Sequence, residues 1–77
     1  MKKVIIYSTP ACMYCHMAKE WFKENNIDYT EYDISVDAEK RDEMIQKTGS
    51  MAVPVIEIEG ELIVGFDKNR ISQLLEI

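Results

Sequence analysis

Apolar side chains recur along the chain with two periods. Val4-Ile5-Ile6-Tyr7 is a short unbroken apolar run, and Lys3 to Tyr7 reads as a buried strand. From Met13 the apolar residues return at helical intervals, as Met13/Met17/Trp21 and Tyr14/Ala18/Phe22, until Asn25-Asn26 ends the pattern. Ile27 to Ile34 then alternates between apolar and polar positions, slipping once at Glu31, and its β-branched and aromatic residues predict a second strand. Strand, helix and strand at this spacing form a βαβ unit with a right-handed crossover and parallel strands.

The second half continues in the same manner. Ser35-Val36-Asp37 is a turn, with Asp37 as N-cap and Glu39 in the first turn of a helix that passes through Met44 and Ile45 to Lys47-Thr48. Gly49 closes it as a left-handed C′ residue. Met51 to Ile58 is a strand entered through Pro54, where a proline is tolerated because only one ladder donor is lost. Taken alone, this proline is an ordinary trans one, since cis accounts for only about 5–6% of X-Pro bonds. Glu59-Gly60-Glu61 is a tight connection, and Leu62-Ile63-Val64 is the return strand of a hairpin. Gly65-Phe66-Asp67 ends it, and Asp67 caps a last helix whose apolar face is Ile71, Leu74 and Leu75. The order is β-α-β-α-β-β-α, an α/β sheet of four strands flanked by three helices, as a single domain over residues 1–77.

Composition narrows the partners. Nine Lys and Arg against fourteen Asp and Glu give a net charge of −5, and no basic cluster exists, so nucleic acid and acidic membrane surfaces are poor partners. The charged run from Asp37 to Glu43 is a solvated helix face. No segment approaches the roughly 20 apolar residues of a membrane span. The apolar run after Met1-Lys2-Lys3 is too short for the core of an export signal. A reducing, cytoplasmic setting is therefore expected, in which a close cysteine pair is more often catalytic or metal-binding than structural.

Both cysteines lie in Ser8-Thr9-Pro10-Ala11-Cys12-Met13-Tyr14-Cys15-His16, across the first strand-to-helix turn. A disulfide between residues so close closes too small a loop to staple the fold through chain entropy, which favours a redox role. At the helix N-terminus unpaired N–H groups can hydrogen-bond a Cys12 thiolate, while Cys15, one turn on, is covered. The helix end contributes roughly 0.3–2 kcal/mol, little more than one unit off a thiol pKa of about 8.5, so a lower value needs direct N–H···S⁻ bonds or a nearby cation. Lys19 is such a cation further along the helix; His16 is a helix-surface residue. Met13 and Tyr14 flank the sulfur as a small apolar landing surface. Three other readings of the pair remain: inert buried thiols, a zinc half-site that two chains would have to share, and a Cys-x-x-Cys-His haem attachment that requires export.

A Cys-x-x-Cys opening the first helix of a βαβ unit, Val53-Pro54 opening the third strand and Gly65-Phe66-Asp67 before the last helix together resemble the glutaredoxin branch of the thioredoxin fold. The resemblance covers essentially the whole chain. It implies a four-stranded mixed sheet, Cys12 as the exposed attacking thiolate and Cys15 as the resolving thiol. It also implies a cis Pro54, with the Val53 backbone pairing with the substrate chain. Met13, Tyr14, Gly65, Phe66 and Asp67 complete the implied substrate-binding set, with no metal and no bound cofactor. The implied partners of such a monomer are disulfide-containing proteins, with electrons from glutathione or a thioredoxin-reductase-type enzyme. Tyr14 matches the motif tyrosine of common glutaredoxins. Thr9, however, stands where glutathione-binding members usually carry Lys or Arg. Val64-Gly65-Phe66-Asp67-Lys68 resembles instead the glutaredoxin-like donors of ribonucleotide reductase, which are served by thioredoxin reductase. A different class of function, a binding module or a dimer holding an iron–sulfur cluster or zinc through Cys12, is the alternative.

Overall fold

The structure, a computed structural model, describes residues 2–77. Its elements are β1 (Val4–Ser8), α1 (Met13–Glu24), β2 (Thr30–Asp33), α2 (Ala38–Thr48), β3 (Val55–Ile58), β4 (Glu61–Val64) and α3 (Lys68–Leu75). The strands lie in the order β2-β1-β3-β4; β1 runs parallel to β2 and antiparallel to β3, and β3 is antiparallel to β4. This is the mixed four-stranded sheet with three helices that the resemblance implies.

Alternation along β1 builds a core on each face of the sheet. Val4 and Ile6 pack with Ala18 and Phe22 of α1, Ile56 and Ile58 of β3, Ile63 of β4 and Ile71 of α3. Tyr7 points the other way, packing with Ile34, Met44 of α2 and Val55. Helices α1 and α3 thus cover one face and α2 the other. The Tyr7 hydroxyl donates to Glu43 Oε2 (2.9 Å) and accepts from Lys47 Nζ (3.0 Å), which also donates to Glu57 Oε1 (2.8 Å). A buried phenol is therefore satisfied, and α2 is tied to β1 and β3. Burial raises the Tyr7 pKa above its usual value.

Several boundaries differ from the sequence pattern for identifiable reasons. The second strand begins at Thr30, not Ile27, because the end of α1 takes up the intervening backbone: Asn26 has φ 55° and the Ile27 N–H donates to the Phe22 carbonyl at 2.8 Å. The third strand begins after Pro54, since Ser50 Oγ accepts from the Ala52 N–H (2.9 Å) and holds the preceding residues in a turn. The first strand lies one residue later than expected and ends at Ser8, whose carbonyl accepts from the Ile34 N–H at 3.0 Å. The caps follow the pattern: Asp37 accepts from the Lys40 N–H (3.1 Å), and Gly49 ends α2 with φ 73°. Ile58 pairs with Glu61 across a two-residue turn in which Glu59 and Gly60 both have positive φ, the mirror-image turn that suits the twist of a hairpin.

Candidate active site

Cys12 is the N-cap of α1, with extended backbone at φ −86° and ψ 111°. Its own N–H donates to the Thr9 carbonyl (3.2 Å), and its carbonyl accepts the first helical bond from the His16 N–H (3.2 Å). The turn so formed presents Cys12 Sγ to the Cys15 N–H at 3.1 Å. A donor left over by the helix end is thus aimed at the sulfur, and it comes from Cys15. The two sulfurs are at disulfide distance, with Cα atoms 5.2 Å apart. Their surroundings differ sharply: Cys12 is half-buried and Cys15 is 0% exposed. Met13 and Tyr14 between them are 74% and 63% exposed.

The spacing offered two apolar faces of α1, and neither is buried whole. Cys15, Ala18 and Phe22 are buried, whereas Met13, Met17 and Tyr14 face outward and Trp21 is half-buried. The inward face combines the small Cys15 and Ala18, which let the helix approach the sheet, with Phe22, which fills the core. His16 is exposed, yet its Nε2 is 2.8 Å from the Pro10 carbonyl and joins the helix to the loop before Cys12. Nothing in the sequence pattern marks that contact.

Lys19 is not a free cation for the thiolate. Its ammonium is 2.7 Å from Glu31 Oε2, which also accepts from the buried Ser8 hydroxyl at 2.7 Å. The bond from Lys19, then that from Ser8, hold the Glu31 carboxyl below the usual carboxylate value. A carboxyl lowered in the folded state stabilises the fold above its unfolded value near 4.5, and that contribution is lost as pH falls through the folded value. Thermal midpoints of the wild type and a Glu31→Gln variant should therefore differ more at pH 7 than at pH 3. An equal gap at both pH values would contradict this assignment.

The remaining residues of the implied set fall on two loops that the structure joins. The Val53–Pro54 bond is cis and Pro54 is buried. Val53 is half-buried, and its backbone N–H and C=O make no hydrogen bond among the described residues. Gly65 N–H donates to the Pro54 carbonyl at 2.8 Å, with Gly65 at φ 100°, a backbone conformation open to glycine and strained for other residues. Asp67 is the N-cap of α3, its carboxylate accepting from the Arg70 N–H at 3.1 Å. Phe66 is half-buried with its ring edge-on to Trp21, centroids 6.1 Å apart. Phe66 and Met13 line one groove between α1 and α3. Among the described residues, no helix is long and apolar enough to cross a membrane.

Comparison with known proteins adds a family. The glutaredoxin family model matches residues 4–63. An uncharacterized glutaredoxin-like 8.6 kDa protein of the rubredoxin operon of Clostridium pasteurianum is 44% identical over 71 residues, 92% of this chain and 95% of that protein. Glutaredoxin 3 of Escherichia coli is 39% identical over 67 residues, covering 87% of this chain and 81% of its own length. Among solved structures, a mutant of the thioredoxin-like protein BC3987 superposes with a TM-score of 0.92 at 38% identity, over 100% of this chain and 99% of that one.

Proposed function

The chain belongs to the glutaredoxin family and is, in general terms, a thiol–disulfide oxidoreductase; from that premise we propose that it reduces protein disulfides or glutathione-mixed disulfides through Cys12 and Cys15. The observation that carries this reading is the asymmetry of the pair. Cys12 Sγ caps a helix end and accepts an N–H at 3.1 Å, which favours its thiolate, while Cys15 is fully buried behind it.

In the proposed cycle the Cys12 thiolate attacks one sulfur of the substrate disulfide, and the other sulfur leaves as a thiolate that takes up a proton. Cys15 then gives up its proton and attacks Cys12 Sγ in the mixed disulfide, expelling the second substrate thiol. The products are two substrate thiols and a Cys12–Cys15 disulfide. The uncommitted backbone of Val53 is placed to pair with an extended substrate chain. The Gly65–Pro54 hydrogen bond holds that loop against the turn bearing Phe66 and Asp67. Met13 and Tyr14 offer apolar surface beside the sulfur. The same reading takes residues 1–77 as one domain that acts as a monomer in a reducing, cytoplasmic setting, with no bound cofactor.

The electron donor is tested by oxidising the pure protein and following NADPH consumption with glutathione plus glutathione reductase, and separately with thioredoxin reductase. Turnover in the first mixture makes glutathione the donor despite Thr9; turnover only in the second assigns the protein to the reductase; silence in both removes the proposal. A Cys15→Ser variant should keep turnover of small glutathione adducts, which glutathione itself resolves, and lose most turnover of protein disulfides. On denaturing non-reducing gels it should accumulate as a mixed disulfide with its protein substrate. Unimpaired reduction of protein disulfides by that variant would remove Cys15 from the resolving role.

A further inference from the structure

Resting on the reading above, a surface feature next to Cys12 bears on which protein disulfides are reached. The groove between α1 and α3, about 370 Å³, has an apolar lining of Met13, Met17, Trp21 and Phe66. Met13 and Met17 are 74% and 46% exposed, an unusual outlay of methionine on the surface of so small a fold. Trp21 and Phe66, packed edge to face, give the groove a firm wall, and the methionines give it an adaptable one. Glu20 and Glu24 lie at the end away from the cysteines. Both are exposed and neither takes part in an ion pair among the described residues. Lys68, from the first turn of α3, is the one basic group on the opposite wall.

We propose that this groove docks the segment flanking the reactive cysteine of a disulfide-bearing protein, and that it selects a segment with an apolar side chain followed by a lysine or arginine. The spacing follows from helix geometry. At about 1.5 Å per residue along α1, Met17 and Trp21 lie roughly 7–13 Å from Cys12, and Glu20 and Glu24 roughly 12–18 Å. An extended chain advances about 3.3 Å per residue, so the apolar anchor belongs about two to four residues from the substrate cysteine and the basic residue about four or five. An acidic residue in that place would meet two unpaired carboxylates.

The test uses synthetic peptides that carry their cysteine as a disulfide with 5-thio-2-nitrobenzoate, so that exchange with the reduced protein releases a coloured thiol. Peptides with leucine three residues and either lysine or glutamate five residues from the cysteine are compared, in both chain directions. In one direction the lysine peptide should react about three- to tenfold faster at low salt, as expected for one lysine set beside two exposed carboxylates. The ratio should shrink as salt is added. The double variant Glu20→Lys/Glu24→Lys should invert the order, and serine in place of leucine should slow both peptides. Equal rates for the lysine and glutamate peptides in both directions, or an unchanged ratio in the double variant, would overturn the docking site. Failure of the underlying reading looks different: a Cys12→Ser protein would release the coloured thiol as fast as the wild type.

Discussion

A Cys12→Ser protein should lose turnover of every disulfide substrate, by at least about a thousandfold, which corresponds to roughly 4 kcal/mol of barrier. No second nucleophile stands in reserve, because Cys15 is 0% exposed and becomes useful only after the first exchange has brought a sulfur to it. Serine is an instructive replacement at this position. It is among the preferred N-cap residues, and its hydroxyl can accept the Cys15 N–H that Cys12 Sγ now accepts at 3.1 Å. The fold should therefore survive while the chemistry stops. The check is the NADPH-coupled assay alongside a thermal melt, with an unchanged melting profile and no turnover as the expected pair. Substantial activity in a folded Cys12→Ser protein would end the assignment of Cys12 as nucleophile.

The largest loss of stability is expected from Phe22→Ala. Phe22 is 0% exposed and lies in the core shared by α1, α3 and three strands, with the rings of Trp21 and Tyr29 at 5.9 and 5.3 Å. Truncating a buried phenylalanine costs about 3–5 kcal/mol. A domain of this size has only about 4–12 kcal/mol in all. The urea midpoint should fall by about a quarter or more, or the chain should fail to fold, whereas Phe22→Leu should cost much less. A midpoint within experimental error of the wild type would mean that α1 is held by something other than this core.

Much of this could be seen in the order of residues. Strongly periodic stretches with good caps became the elements expected of them: Asp37 and Gly49 bound α2, and Asp67 starts α3. The cysteine pair was legible because its spacing and its strand-to-helix setting are both local properties. Contacts made through the third dimension were not. Period alone could not decide which face of α1 turns inward, since Met13/Met17/Trp21 is as regular as Tyr14/Ala18/Phe22, and the packing buries neither set whole. Lys19 looked like a candidate cation for Cys12 until β2 delivered Glu31 beside it. The cis form of Pro54 and its bond to Gly65 likewise join residues that the sequence holds apart, and only the family resemblance anticipated the cis geometry.

The strand order also fixes a schedule for the growing chain. β1 has its parallel partner once Asp33 has been made, but its other edge stays open at least until Ile58, which pairs with Val4, has been made. At about 5–20 residues per second that interval is on the order of one to five seconds. For most of it both thiols are already present, while the Val53–Pro54 loop and the wall bearing Phe66 are still to be made. On the proposed mechanism, a nascent chain thus meets oxidants with its nucleophile made and its selectivity unmade, and reducing surroundings would matter most to it during synthesis.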